Sequence, residues 1–364
     1  MIIIDSHLDL AWNALQWNRD LRRSAHTLRS LEHHIPGKGR AQGTVALPEL
    51  AQGRVALSFA TLLARATGNA VPYLDYPSPE QAYGIAKGQL AYYRALEHEG
   101  HVRIVEDRAG LDAHWERWQR WDEAGPSLGE DRPPLGFVIA AEGLDFVLDP
   151  GQLEDWWQSG LRVAGLTHYG PGRYAGGTGT ELGLTELGAP LLAEMERLGM
   201  VLDLTHCSDQ AFWEAMERFG GPVLASHNNC RALVAHQRQF SDDQLRALIA
   251  RNGVAGVACD CWMLDPLWSE DRAAAHQVTL AALADHVDHI CQLAGTSHHA
   301  ALGSDLDGGF GREQSPRDLD TIADLQALAG ILAGRGYAAG DIANVMHGNW
   351  LRLLRTAWPA GRGG

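Results

Sequence analysis

Eight short apolar runs recur along this 364-residue chain, and nearly all of them end on or beside a histidine, an aspartate or a glutamate. The runs occupy residues 2–4, 55–62, 137–141, 163–167, 200–205, 222–226, 254–258 and 300–304. They are predominantly hydrophobic and do not alternate, which is the pattern of parallel strands covered on both faces. Helical spacing fills most of the gaps; across 79–99, Ala82, Ile85, Ala86, Leu90, Tyr93 and Leu96 share one face. Strand and helix in alternation predict an α/β fold closed into a (β/α)8 TIM barrel. A doubly wound open sheet is the competitor, and no glycine-rich nucleotide turn follows the first run to favour it.

In such a barrel the C-terminal strand ends converge on one mouth, where catalytic groups gather. This chain brings there His7 and Asp9, then Glu142, His168, His206, His227 and Asp305. A single His-x-Asp triplet is usually a solvated turn, and one buried histidine is usually a core residue with a hydrogen-bond partner. Four imidazoles and three carboxylates on one rim are instead the donor types for zinc or a similar first-row metal. Ligand counting favours two ions, with His7 and Asp9 serving one, His206 and His227 the other, and Glu142 offering an oxygen to each. Two cations about 3.5–4 Å apart can share a hydroxide and polarise a carbonyl together, so the reaction class is metal-assisted hydrolysis.

Charge removes another class of function. The net charge is −15 and no Lys/Arg cluster occurs, so a nucleic-acid partner is not expected. With 45% hydrophobic residues the chain can fill a large core, and it reads as one catalytic domain over 1–364. A loop insert covers about 12–40, C-terminal helices cover about 319–355, and 126–134 reads as a surface loop. Five scattered cysteines suit a reducing compartment, and Cys259 and Cys261 read as core residues. No signal-peptide pattern, lipid-anchor tail or apolar run of roughly 20 residues is seen, so a cytoplasmic protein without a membrane partner is expected. The doublets His33-His34 and His298-His299 read as solvated, and Trp115, Trp118 and Trp121 as a packing stripe.

Several motifs together carry a resemblance. They are Asp5-Ser6-His7-Leu8-Asp9-Leu10, Ala141-Glu142-Gly143, Leu166-Thr167-His168, Leu204-Thr205-His206, Ala225-Ser226-His227-Asn228-Asn229, His236-Gln237-Arg238, Gly303-Ser304-Asp305-Leu306-Asp307-Gly308 and Gly348-Asn349-Trp350-Leu351-Arg352. In order and context the chain resembles the membrane dipeptidase (renal dipeptidase, M19) family of the amidohydrolase superfamily. The resemblance implies a barrel that hydrolyses small dipeptides, often with a D-residue at the C-terminal side. It implies two zinc ions, one held by His7, Asp9 and Glu142, the other by Glu142, His206 and His227. By the same resemblance His168 polarises the scissile carbonyl, Arg238 holds a substrate carboxylate, and Asp305 passes a proton from the bridging hydroxide to the leaving amine. Asp307 reads either as support for the barrel end or as a turn residue.

The chain departs from the family at Ala258-Cys259-Asp260-Cys261-Trp262, where a polar and aromatic stretch usually lines the pocket, and at Ala11, where a proline is common. These departures bear on substrate preference. Two other readings stay open: an amidohydrolase acting on another small amide or lactam, such as an N-acyl amino acid, and a metal-binding scaffold without turnover. A homodimer is left open as well.

Overall fold

A computed structural model describes residues 1–125, 132–271 and 277–358. Its nine strands are β1 (Ile3–Leu8), β2 (Val55–Leu62), β3 (Val102–Ile104), β4 (Leu135–Ala141), β5 (Leu161–Gly165), β6 (Val201–Asp203), β7 (Val223–Leu224), β8 (Ala255–Val257) and β9 (Ala300–Leu302). All eight apolar runs are strands, and every strand pairing is parallel. The ladder runs in the order β1-β2-β4-β5-β6-β7, with β8 and β9 paired separately. The extra strand β3 pairs with β4 at Leu135–Phe137, while β5 takes up the same strand from Ile139 onward.

The ring is completed by close packing of small residues. A single bridge, Ala225 to Ala255, joins β7 to β8. Between β9 and β1, Ser304 N–H donates to Asp5 Oδ1 at 3.0 Å and Ser6 Oγ lies 3.1 Å from Leu302 O. A Cβ at Gly303 would stand 1.7 Å from Ser226 O, just past β7, and 2.6 Å from Ser6 Oγ in β1, so only glycine lets the end of β9 approach both so closely. The stretch Gly348-Asn349-Trp350 supports the same seam from outside the ring. Asn349 donates to Ser297 O and Ala300 O at 2.7 and 2.8 Å, and Trp350 Nε1 donates to Leu302 O at 2.8 Å.

Helix limits follow local chemistry. Ser241 caps Asp242–Ala250 with a reciprocal bond to Gln244, and Ser78 caps Pro79–His98, whose first residue is a proline that needs no N–H partner there. Helical spacing predicts a helix over 273–293; it begins at Leu280, after Thr279 in an extended conformation, and 272–276 lie outside the described residues. The loop expected at 126–134 is described only from 132 onward. The run expected as helix from 319 starts at Ile322, where Thr321 and Asp324 form a capping box. Trp115, Trp118 and Trp121 are buried, as the stripe predicts. His33, His34 and His298 are exposed, whereas His299 is half-buried with Nδ1 2.7 Å from Gly253 O.

The stretch expected as an insert carries two helices, Leu10–Leu15 and Ala25–Glu32, and folds over the strand ends. Buried Arg19 donates Nε to Glu32 at 2.8 Å and a guanidinium N–H to Gly39 O at 2.7 Å. The Trp17 ring lies between two guanidiniums, with Arg19 at 4.6 Å and Arg40 at 4.7 Å from its centroid. Asp307 fastens this layer to the barrel, accepting from Thr44 N and Thr44 Oγ1 at 2.7 Å, from Val45 N at 3.1 Å and from Arg19 at 3.4 Å. It therefore supports the barrel end, the first of its two sequence readings.

Candidate metal centre

β1 is longer than its apolar run and carries Asp5 and His7 within it, so His7 is a strand residue and Asp9 follows the strand end. Asp5 can be buried because its Oδ1 accepts from His7 N at 3.1 Å and Ser304 N at 3.0 Å. Asp203 does the same at the end of β6, accepting from Thr205 N and Ser226 N at 3.0 Å each. These paired bonds fix how the chain leaves each strand. Immediately beyond, His206 sits at φ 67° and Asp305 at φ 57°, left-handed conformations that cost energy for non-glycine residues and cluster at functional sites.

The strand ends bring the seven side chains together. His7 Nε2 lies 3.9 Å from Asp9 Oδ2, 3.9 Å from Asp305 Oδ1 and 3.6 Å from Glu142 Oε2. The other Glu142 oxygen, Oε1, lies 3.0 Å from His206 Nε2, 3.2 Å from His227 Nε2 and 3.4 Å from His168 Nε2. Glu142 thus divides its two oxygens between two groups of donors. Donor atoms of His7, Asp9 and Glu142 all lie within 4.8 Å of one another, and so do those of Glu142, His206 and His227.

These residues fit a metal. Among the described residues His7 Nε2 is buried without a hydrogen-bond partner, and the Nε2 atoms of His206 and His227 face each other at 3.1 Å. Buried polar atoms are rarely left unpaired, and converging lone pairs call for a cation between them. The opposite ring nitrogens are oriented as metal-bound imidazoles usually are. Thr178 Oγ1 lies 3.1 Å from His206 Nδ1, and Ser226 Oγ lies 2.9 Å from His227 Nδ1 and 3.4 Å from His7 Nδ1. Thr61 hydrogen-bonds Asp9 Oδ1.

Burial and charge work against each other here. Burial alone would depress His7, but the Glu142, Asp9 and Asp305 carboxylates outweigh it and push its pKa up to about 10. Burial and Glu142 push Asp9 up to about 7, and burial holds Asp305 well above the usual carboxylate range. Glu142 is held well below that range because His168, His7 and hydrogen bonds from His206 and His227 overcome its burial. Burial keeps His206 and His227 neutral and lowers His168 to about 4.

A cavity of about 380 Å³ opens onto this cluster, and Arg238 lines it. Arg238 is buried, 3% exposed, although its place on a loop would allow it to face solvent. It donates to Asn228 Oδ1 at 2.9 Å and to His227 O at 2.8 Å. Sequence reasoning missed Trp12, Trp17, Arg65 and Tyr169 in the cavity wall, as well as Thr61 and Thr178, which hydrogen-bond Asp9 and His206. In the departing stretch 258–262, Asp260 and Trp262 line the cavity, while Cys259 and Cys261 are buried thiols outside every candidate metal group among the described residues.

Over 233 residues the chain is 32% identical to an uncharacterized protein in the pqqA 5′ region of Klebsiella pneumoniae, covering 62% of this chain and 83% of that one. Over 227 residues it is 33% identical to dipeptidase aclJ of Aspergillus oryzae, covering 60% of this chain and 51% of the relative, about half its length. Its fold is similar to that of a solved metallo peptidase from Rhodobacter sphaeroides liganded with a phosphinate mimic of the dipeptide L-Ala-D-Ala. That likeness has a TM-score of 0.76 at 22% identity and covers 98% of this chain and 99% of the other. Among the described residues no helix is long and apolar enough to cross a membrane. With the profile of the membrane dipeptidases matching residues 1–360, the chain belongs to the membrane dipeptidase family, peptidase family M19.

Proposed function

We propose that the protein is a binuclear zinc dipeptidase acting on small dipeptides, including those with a D-residue at the C-terminal side. The observation that carries this reading is the division of Glu142, with Oε2 toward His7 and Oε1 toward His206 and His227. His7 and Asp9 would complete one ligand set and His206 and His227 the other, and nitrogen-oxygen donor sets of this kind suit zinc. When bound, the ions would supply Lewis acidity toward the scissile carbonyl and would lower the pKa of a water toward neutrality.

The remaining steps fall to the chain's own groups. Arg238 binds the substrate carboxylate, its guanidinium pre-oriented by Asn228 and the His227 carbonyl. His168 is neutral at working pH, because burial lowers it to about 4, and donates an N–H to the oxygen of the reacting carbonyl. Asp305, held by burial well above the usual carboxylate range, is the group that would deliver a proton to the leaving amine. The cavity of about 380 Å³ is within the range of small-molecule sites, which suits a dipeptide. The L-Ala-D-Ala mimic bound by the Rhodobacter protein supports the stereochemical part of this reading.

The test is a panel of dipeptides in all L and D combinations beside N-acyl amino acids, run with metal analysis of the same preparation. Two zinc ions per chain with turnover of dipeptides is the expected result. Turnover confined to N-acyl amino acids, or a single ion per active chain, would sink the proposal.

A further inference from the structure

The cavity wall holds a carboxylate that the metal cluster and the proposed proton transfer leave unused. Asp260 follows β8 and is 6% exposed, yet it lines the cavity. Its Oδ1 accepts from Gln314 Nε2 at 2.8 Å and from Trp262 N at 3.4 Å, both neutral donors. Among the described residues no Lys, Arg or His forms an ion pair with it; Lys38, whose charge is felt at Asp260, is paired with Glu270 at 2.5 Å.

The other charges in the wall are accounted for differently. Arg65 is neutralised by Asp75 at 3.2 Å. Arg238 makes hydrogen bonds to neutral acceptors and no ion pair among the described residues. Outside the metal cluster the cavity therefore keeps one uncompensated cation, Arg238, and one uncompensated anion, Asp260. A buried unpaired charge is costly, and a site that carries one of each sign is complementary to a zwitterion. Burial pushes the Asp260 pKa up to about 7, the state of a carboxylate that lacks a counter-charge.

The geometry points to Asp260 as the specificity residue that pairs with a cationic nitrogen of the substrate, an alkylammonium or guanidinium, while Arg238 takes its carboxylate. Trp262 lines the cavity beside it and offers an indole to the same cation. This inference rests on the dipeptidase reading for its substrate. Two sources supply such a nitrogen: the free α-ammonium common to all dipeptides, or a basic side chain.

Asp260→Asn keeps the shape and the acceptor for Gln314, and Asp260→Glu restores the charge. Steady-state kinetics on Ala-Ala and on dipeptides carrying Lys or Arg should be read together with calorimetric binding of alaninamide and lysinamide to the zinc-loaded protein. Loss of a charge-assisted hydrogen bond predicts a rise in KM of roughly 10- to 100-fold in the Asn variant, with a much smaller change in kcat and partial recovery in the Glu variant. If KM rises for every dipeptide and both amides bind more weakly, the α-ammonium is the partner; if only the basic ligands suffer, the side chain is. Equal KM values and equal amide binding in wild type and Asp260→Asn would overturn the inference. Wild-type protein that binds both amides but cleaves no dipeptide would refute the dipeptidase reading alone.

Discussion

Replacing Glu142 with glutamine tests the proposed sharing of this carboxylate directly. The substitution keeps the volume but removes the charge and turns one oxygen into an N–H donor. The amide nitrogen should turn toward His206 and His227, because those Nε2 atoms are neutral and close, at 3.0 and 3.2 Å from the present Oε1, while His7 lies farther at 3.6 Å. An amide nitrogen cannot ligate a metal, so the His206–His227 ion loses one protein ligand. Zinc held by four ligands is worth about 10–16 kcal/mol, so one ligand carries roughly 2.5–4 kcal/mol, a factor of about 10² to 10³ in affinity. After dialysis against a weak chelator, zinc content should fall from two ions per chain to about one. Adding His206→Ala should lower it no further. On the proposed two-ion reading, in which both ions would act on one carbonyl, the kcat/KM should drop by at least ~10³. Circular dichroism would show that the barrel persists. Retention of two ions and wild-type turnover by Glu142→Gln would refute the reasoning.

Three further outcomes can be measured. Thr178→Val leaves His206 Nδ1 without its hydroxyl partner and should weaken zinc binding about 10- to 100-fold, as read by competition with a chromogenic chelator. In Asp307→Asn the amide nitrogen must face either the Thr44 donors or those of Val45 and Arg19, so urea unfolding should show about 3 kcal/mol lost; under ~1 kcal/mol would contradict the bond assignments. His114 is held neutral by burial with a pKa of about 4 against 6.5 when unfolded. That depressed value contributes stability above pH 6.5 that is lost as the pH falls toward 4, about 3 kcal/mol in all, and His114→Gln should flatten that part of the stability profile.

The strand ends were legible because an apolar run that stops on an ionisable residue is unusual in one dimension. What closes around them was not, because it depends on contacts between distant strands. β2 ends without a histidine or carboxylate and looked mute, yet its Thr61 hydroxyl meets Asp9. The buried Asp5 and Asp203 interrupt the hydrophobic pattern, and only the backbone N–H groups of neighbouring strands explain why they can be tolerated. Arg238 looked like a loop residue free to face water; burial under its own hydrogen bonds makes it part of the cavity wall. Spacing also cannot see that His206 and Asp305 take left-handed backbone conformations, which turn the chain as it leaves the barrel.

The bond from Thr44 to Asp307 spans 263 residues of sequence. Synthesis proceeds from the N-terminus, so the layer carrying Trp17 is made early and must wait for the last strand before its anchor exists. Contacts of such separation form late, since the chain entropy of closing the loop has to be overcome first. The barrel's early strands can pair while the mouth is still unfinished. Catalytic competence should accordingly be the last property gained in folding and the first lost when β9 loosens, well before the bulk of the helices melts.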